Sequence, residues 1–294
     1  MKAKRYMTIM AGTAAAVLLS SCVKDELHDT PHPGHGKVAV TADWTDRGEG
    51  IAVPEKWTVS IGGYTGEETG ATHASDCLFE PGDYTLAAYN KPEGIALSGT
   101  TAAVSTVAGN WDGVGQFVDN VPGWLFTSVQ DITIERDRDH AFTAVMKQQV
   151  RELTLVIEPT GDAADRITAI DAYLSGVAGS MDFSAERYAD ASNVELHFTP
   201  ITEGTDAGKW TVTVRLLGIA GDVQKLTGSI VFADGNPQPM TLESDLTANL
   251  AGFNEDKRTP LTLIGAMAET ANEGGFTATI DDWNTVAGDP VEAM

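Results

Sequence analysis

Cysteine is nearly absent from this 294-residue chain, which has only Cys22 and Cys77. A small fold stapled by several disulfides is therefore excluded, and a buried core must hold the body together. Long apolar runs are missing too. The longest, residues 9–19, is too short to cross a bilayer as a helix. No stretch repeats apolar residues at helical spacing, so amphipathic helices are not expected. Basic side chains are scarce, with 19 Lys and Arg against 42 Asp and Glu. Such a surface repels phosphate backbones, which excludes nucleic acid as a partner.

Catalytic motifs are also lacking. A nucleophile elbow needs Gly-x-Ser-x-Gly, and Leu174-Ser175-Gly176 and Gly179-Ser180-Met181 lack the flanking glycines. Gly113-Val114-Gly115 has no third glycine, so it is a poor phosphate cradle. Asp112-Gly113, Asp119-Asn120 and Asp234-Gly235-Asn236 read as turns rather than a calcium loop. Asp281 and Asp282 are adjacent on a strand end and point to opposite faces, so they do not flank one glycosidic bond. The reading is a protein that is not an enzyme and takes no cofactor or metal.

The N-terminus is informative. Lys2, Lys4 and Arg5 precede the short apolar run, which stops at Leu19-Ser20-Ser21-Cys22. A basic start, a short apolar core and small residues before a cleavage point make a secretory signal peptide over residues 1–21. Cysteine straight after Leu-Ser-Ser resembles the lipobox of bacterial lipoproteins. That resemblance implies cleavage before Cys22 and several acyl chains on it, palmitate among them. Val23-Lys24-Asp25-Glu26 is similar to the charged tetrapeptides that send Bacteroidetes lipoproteins to the cell exterior. The expected location is the outer membrane, lipid-anchored and facing outward. Cleavage leaves 42 acidic against 16 basic residues, an excess of 26 negative charges. Residues 22–36 carry Pro31, Pro33, Gly34 and Gly36 and read as a flexible stalk, with His28, His32 and His35 as spacer residues.

Beyond the stalk the pattern has period two, the mark of strands with one buried face. Val38, Val40, Ala42 and Trp44 share one side, as do Trp57, Val59 and Ile61. Further strands are expected at 84–89, 100–107, 125–134 and 141–146, with Arg136-Asp137-Arg138-Asp139 as a charged hairpin turn. The pattern restarts at 150–157 and continues through 167–175, which Gly176 and Gly179 should close. Segments 194–198, 210–217, 224–232, 241–246, 259–264 and 276–283 complete the set. The chain thus reads as all-β, with one β-sandwich over 37–147 and a second over 148–294.

Few side chains stand out against this background. Trp44, Trp57, Trp124 and Trp210 fall inside strand patterns and read as core. Trp111, in a Gly-Asn-Trp-Asp-Gly loop, and Trp283, after two aspartates, are the candidates for stacking on a sugar ring. Cys77 reads as a small buried apolar side chain, because a catalytic thiol would need a base and only His73 lies near in sequence.

Several segments together carry a wider resemblance. They are the lipobox at Cys22, Pro81-Gly82-Asp83-Tyr84 followed by Leu86-Ala87-Ala88-Tyr89-Asn90, Leu153-Thr154-Leu155-Val156-Ile157, and the run from Tyr173 to Ser180. In these the chain resembles minor and anchor subunits of the Bacteroidetes fimbrillin superfamily. The resemblance implies two tandem transthyretin-like Greek-key sandwiches at or near the base of a surface fimbria. It also implies fimbrial subunits as partners, joined by adding a strand of one chain to a sheet of another. Polymerising members are cut after an N-terminal arginine. A lipid-anchored base would lose its anchor if cut at Arg47, so no such processing is expected. The tail from Asn284 to Met294 is short and polar, a poor donor strand unless Phe276–Ile280 takes part. A glycan-binding surface lipoprotein of a polysaccharide uptake system is the alternative.

Overall fold

Eight residues from Gly36 bury every second side chain, and this alternation makes the first strand, β1 (Gly36–Asp43), with Val38, Val40 and Ala42 inward. The computed structural model describes residue 32 and residues 34–161, 164–235, 238–272 and 275–286. The expected signal peptide over residues 1–21, Cys22 and most of the expected stalk lie outside the described residues. Strands β2 (Trp57–Ile61), β3 (Tyr64–Glu68), β4 (Thr72–Ala74) and β5 (Gly82–Tyr89) follow. After them come β6 (Ile95–Ser98), β7 (Thr101–Val104), β8 (Thr106–Val107) and β9 (Phe117–Val118). Next are β10 (Phe126–Ile134), β11 (Arg138–Val145) and β12 (Lys147–Gln148).

Two small sheets face each other here. One has the order β11-β1-β4, the other β12-β10-β5-β2-β3. Val38, Val40 and Ala144 from the first meet Trp57, Val59, Leu86 and Phe126 from the second in one core. β1 lies parallel to β11 over its whole length. The Arg136–Asp139 cluster is therefore not the hairpin turn expected from sequence. β10 and β11 belong to different sheets, and the cluster, with Asp137 at φ 58°, arches between them.

The rest of the chain is β13 (Arg151–Pro159), β14 (Ile167–Asp182), β15 (Arg187–Pro200), β16 (Trp210–Leu216) and β17 (Lys225–Phe232). Then come β18 (Met240–Asp245), a short helix α1 (Thr247–Leu250), β19 (Leu261–Asn272), β20 (Gly275–Thr279) and β21 (Trp283–Val286). The ladder runs β14-β17-β18-β20-β19-β13-β16-β15, and β14 also pairs with β15, so these strands close on themselves. A second, larger core fills the ring. β14 does not stop at Gly176 as expected. Gly176, at φ 74°, absorbs a bulge between Ser175 and Val177, and the strand runs on to Asp182.

The division near residue 148 is crossed by β6 to β9. β7 pairs with β14 and β9 with β15, so this excursion from the first half extends the sheet of the second. Ile95, Ala102, Val104 and Val118 accordingly belong to the larger core. Among the described residues no helix is long and apolar enough to cross a membrane.

One glycine is fixed by close approach. A β-carbon at Gly228 in β17 would come within 2.5 Å of the Asp171 carbonyl oxygen and 2.6 Å of Ala172 Cβ on β14. Gly228→Ala should therefore cost about 1–3 kcal/mol by overpacking. Urea unfolding of the two proteins checks this, and an unchanged midpoint would mean that β14 and β17 can part without penalty.

Candidate functional site

The two cores meet at a joint built from buried polar side chains. Gln148 accepts from the Gly48 amide at 2.8 Å, and its own amide donates to the Val150 carbonyl at 2.9 Å and the Lys257 carbonyl at 2.6 Å. One side chain thus ties three segments. Arg258 pairs with Asp46 at 3.2 Å across the same joint. Below it lies Arg151, donating to the carbonyls of Thr259 at 2.7 Å and Phe253 at 3.0 Å.

Lys257 lines a 480 Å³ cleft beside this joint and is 8% exposed. Its ammonium donates to the Leu217 carbonyl at 2.9 Å and Asn254 Oδ1 at 3.3 Å, and lies over the rings of Tyr188 and Phe253. Among the described residues it pairs with no carboxylate. Burial, with the Arg151 charge adding to it, pushes Lys257 down to about 7. Burial, helped by Glu186, pushes the Tyr188 phenol up to about 12.

A larger cleft of about 1060 Å³ opens next to the first. Its floor is β10, its walls β11 and the turn between β14 and β15. Most of the lining is hydroxyl or amide: Thr85, Thr100, Ser128, Gln130, Thr143 and Ser184. Gln130 reaches across and donates to the Thr143 carbonyl at 3.1 Å. Nothing in this cleft was singled out by sequence. Its residues are ordinary strand positions, and only the sheet order brings them together.

The residues singled out by sequence lie elsewhere. Trp283 is 7% exposed, with its indole N–H donated to Ser244 Oγ at 2.8 Å. Its ring packs beside Gly265, where no side chain competes for the space, so it is core and not a sugar platform. Trp111 is half-buried, edge-on to Tyr173 with centroids 5.1 Å apart. Its loop is clamped by Glu195, which accepts from the Asn110 amide and side chain. Trp111 and Trp283 therefore do not form one site. Asp281 and Asp282 are exposed between β20 and β21.

Cys77 is exposed, not buried as expected, because Asp76, Cys77 and Leu78 turn outward between the buried Ser75 and Phe79. Its nearest sequence base is engaged elsewhere, with His73 Nε2 at 2.7 Å from the Tyr64 hydroxyl. Burial lifts the thiol pKa, opposite to the shift that activates a nucleophile. His32, read as spacer, is 4% exposed, with Nε2 2.8 Å from Asp139. Gly34 donates to Asp137, so the chain is held against the arch before β1 begins. Cys22 and His28 lie outside the described residues.

A family model described as fimbrillin-A associated anchor proteins Mfa1 and Mfa2 matches residues 65–287. No curated protein matches the chain. Among solved structures, a candidate adhesin from Bacteroides ovatus ATCC 8483 aligns with 97% of this chain and 100% of its own. It shares 14% identity at a TM-score of 0.55. The fimbrial anchor protein Mfa2 of Porphyromonas gingivalis aligns at 12% identity and a TM-score of 0.53, covering 83% of this chain and 95% of that one. A candidate polysaccharide-binding protein of Bacteroides thetaiotaomicron VPI-5482 aligns at 11% identity and 0.51, covering 82% and 96%. At these identities the likeness is one of fold.

Proposed function

The chain belongs to the family of fimbrillin-A associated anchor proteins, and from that membership we infer that it is a non-catalytic surface lipoprotein that anchors or caps a fimbria. The family match over residues 65–287 carries this reading. Acyl chains on Cys22 would hold it on the outer face of the outer membrane, at about 0.8 kcal/mol per buried methylene. The ten residues from Cys22 to His32 reach at most about 35 Å. On this reading the arch that holds His32 and Gly34 is the membrane-proximal end. The two cores would be two transthyretin-like Greek-key units dividing near residue 148, with β6 to β9 lent across.

Neighbouring subunits would join by strand addition, in which main-chain hydrogen bonds supply the affinity. Two features favour acceptance over donation. β20 is paired on both sides, with β18 and β19, and β21 is paired with β19. The segment offered by sequence as a donor, Phe276–Ile280, is thus part of the body.

Crosslinking living cells that carry an affinity-tagged full chain tests the role. Mass spectrometry of the covalent partners should recover a fimbrial subunit. Recovery only of outer-membrane transporter components would overturn the anchor reading and favour a glycan binder. In that event polysaccharide would shift the native-gel mobility and Trp111→Ala would abolish the shift.

A further inference from the structure

On the reading of this chain as a fimbrial anchor, we propose that the open edge of β10 receives one extended strand from another fimbrial subunit, seated between β11 and the β14–β15 turn. β12 occupies the lane beside β10 for two residues only, with Gln148 opposite Phe126 and Lys147 opposite Thr127. The Gln149 N–H donates to the Leu125 carbonyl on that side, and the Asn90 N–H to the Phe126 carbonyl on the other. In an antiparallel ladder the N–H and C=O of one residue point the same way and alternate along the strand. Val129, Asp131 and Thr133 therefore present both groups to the empty lane. β10 stays in register with β5 throughout and has no proline, bulge or lysine from Ser128 to Ile134, so the usual guards of a sheet edge are missing except for Asp131.

The lane is walled, and this selects a strand over a larger surface. Thr143 and Val145 of β11 stand on one side, Thr100 and Ser184 to Glu186 on the other. Facing sheets lie about 10 Å apart, and Gln130 spans that gap to Thr143 under the lane, which leaves room for a single extended segment above it. The alternative slot is filled, because β1 lies between β11 and β4. The chemistry of the occupant follows from the walls. Hydroxyl and amide groups predominate, and Phe183 is 5% exposed and offers no ring face for a sugar. Lys147 is paired with Glu186 at 3.3 Å, and Asp131, exposed at the lining of the cleft, accepts from the Thr85 hydroxyl at 3.1 Å and has no cationic partner among the described residues. The incoming strand should be rich in small or hydroxyl side chains and carry a Lys or Arg where it passes Asp131.

The test places a photoreactive residue at Val145 of the full chain in living cells and sequences the peptides it captures. A segment of another fimbrial subunit is expected. Asp131→Pro removes an N–H that faces the lane while sparing the ladder to β5, and should lower the crosslink yield by about tenfold or more. Asp131→Lys leaves the backbone intact and should also lower it, which decides the matter if the proline variant does not fold. Unchanged yield in a folded Asp131→Pro chain, or capture of a second copy of this protein or of a glycan, overturns the proposal. Capture of a fimbrial subunit from other surface positions but never from Val145 refutes this lane and leaves the anchoring role standing. Capture of none from any position removes both.

Discussion

Lys257→Met should flatten the pH dependence of unfolding between pH 7 and pH 9. In the native protein Lys257 is pushed down to about 7 by burial and by Arg151. In the unfolded chain a lysine holds its proton to about pH 10.4. Between these values the unfolded state binds more protons than the native one, so stability rises with pH, by at most about 1.4 kcal/mol per unit. Below pH 7 the native state carries a buried ammonium, and that cost is present in full. The groups facing Lys257 do not cancel the slope. Arg151 stays cationic, and Tyr188, pushed up to about 12, stays neutral through the window. Burial acts to raise Asp256, but hydrogen bonds from Thr259 and the Arg258 amide outweigh it and hold that carboxyl low. Methionine keeps the volume and removes the titration, while leaving the Leu217 carbonyl without its donor. Relative to the native protein the variant should thus fare better at pH 6 than at pH 9, by roughly 3 kcal/mol. Urea unfolding at pH 6, 7, 8 and 9 measures it. Parallel pH slopes for the two proteins would mean that the Lys257 ammonium is solvated in the fold.

Much of the strand content was legible because period two reports which side chains face inward. β1 follows its alternation throughout, β2, β10 and β16 keep it over part of their length, and Trp57 and Trp210 are buried as expected. Alternation says nothing of which strand lies beside which. β10 and β11 read as a hairpin because they are close in sequence, yet β11 pairs with β1, about 100 residues earlier in the chain. The pairing of β6 to β9 with β14 and β15 was hidden for the same reason. Gly176 looked like a terminator because a glycine that ends a strand and one that forms a bulge are the same letter. Trp283 looked exposed from its two aspartate neighbours, but Gly265 on the adjacent strand makes the space that takes its ring. Nothing in the charged run Asp256-Lys257-Arg258 marks one of its side chains for burial. That Lys257 is buried depends on Tyr188 and Leu217, far away in sequence.

The joint makes a second large effect expected at Arg47. The Arg47 side chain donates to the carbonyls of Trp44 at 2.8 Å and Ile51 at 3.0 Å, so its guanidinium is folded back on its own loop. The next amide, Gly48 N–H, is held by buried Gln148, and Gly48 packs against Arg258, whose carbonyl oxygen would lie 2.7 Å from any β-carbon there. A protease specific for arginine needs this segment extended, so cleavage after Arg47 requires the loop to leave the joint. Gln148→Ala removes the acceptor for Gly48 and the donor for the Lys257 carbonyl together. Each orphaned group costs about 1–3 kcal/mol in the closed state, so the loop should open about 10- to 100-fold more often. Limited digestion with an arginine-specific protease should leave the native chain intact at Arg47 and cut the variant there, with the new N-terminus at Gly48 identified by mass. Even then β1 has its full parallel ladder with β11, and His32 and Gly34 have their bonds to Asp139 and Asp137. The cut piece should therefore stay bound until denaturant is added. Equal cleavage of both proteins would show that the loop opens without passing through Gln148. Cleavage with immediate release would show that β1 is held by covalent continuity and not by the sheet. A chain that resists the cut and keeps β1 after it has that slot permanently filled, and any strand it accepts must enter elsewhere.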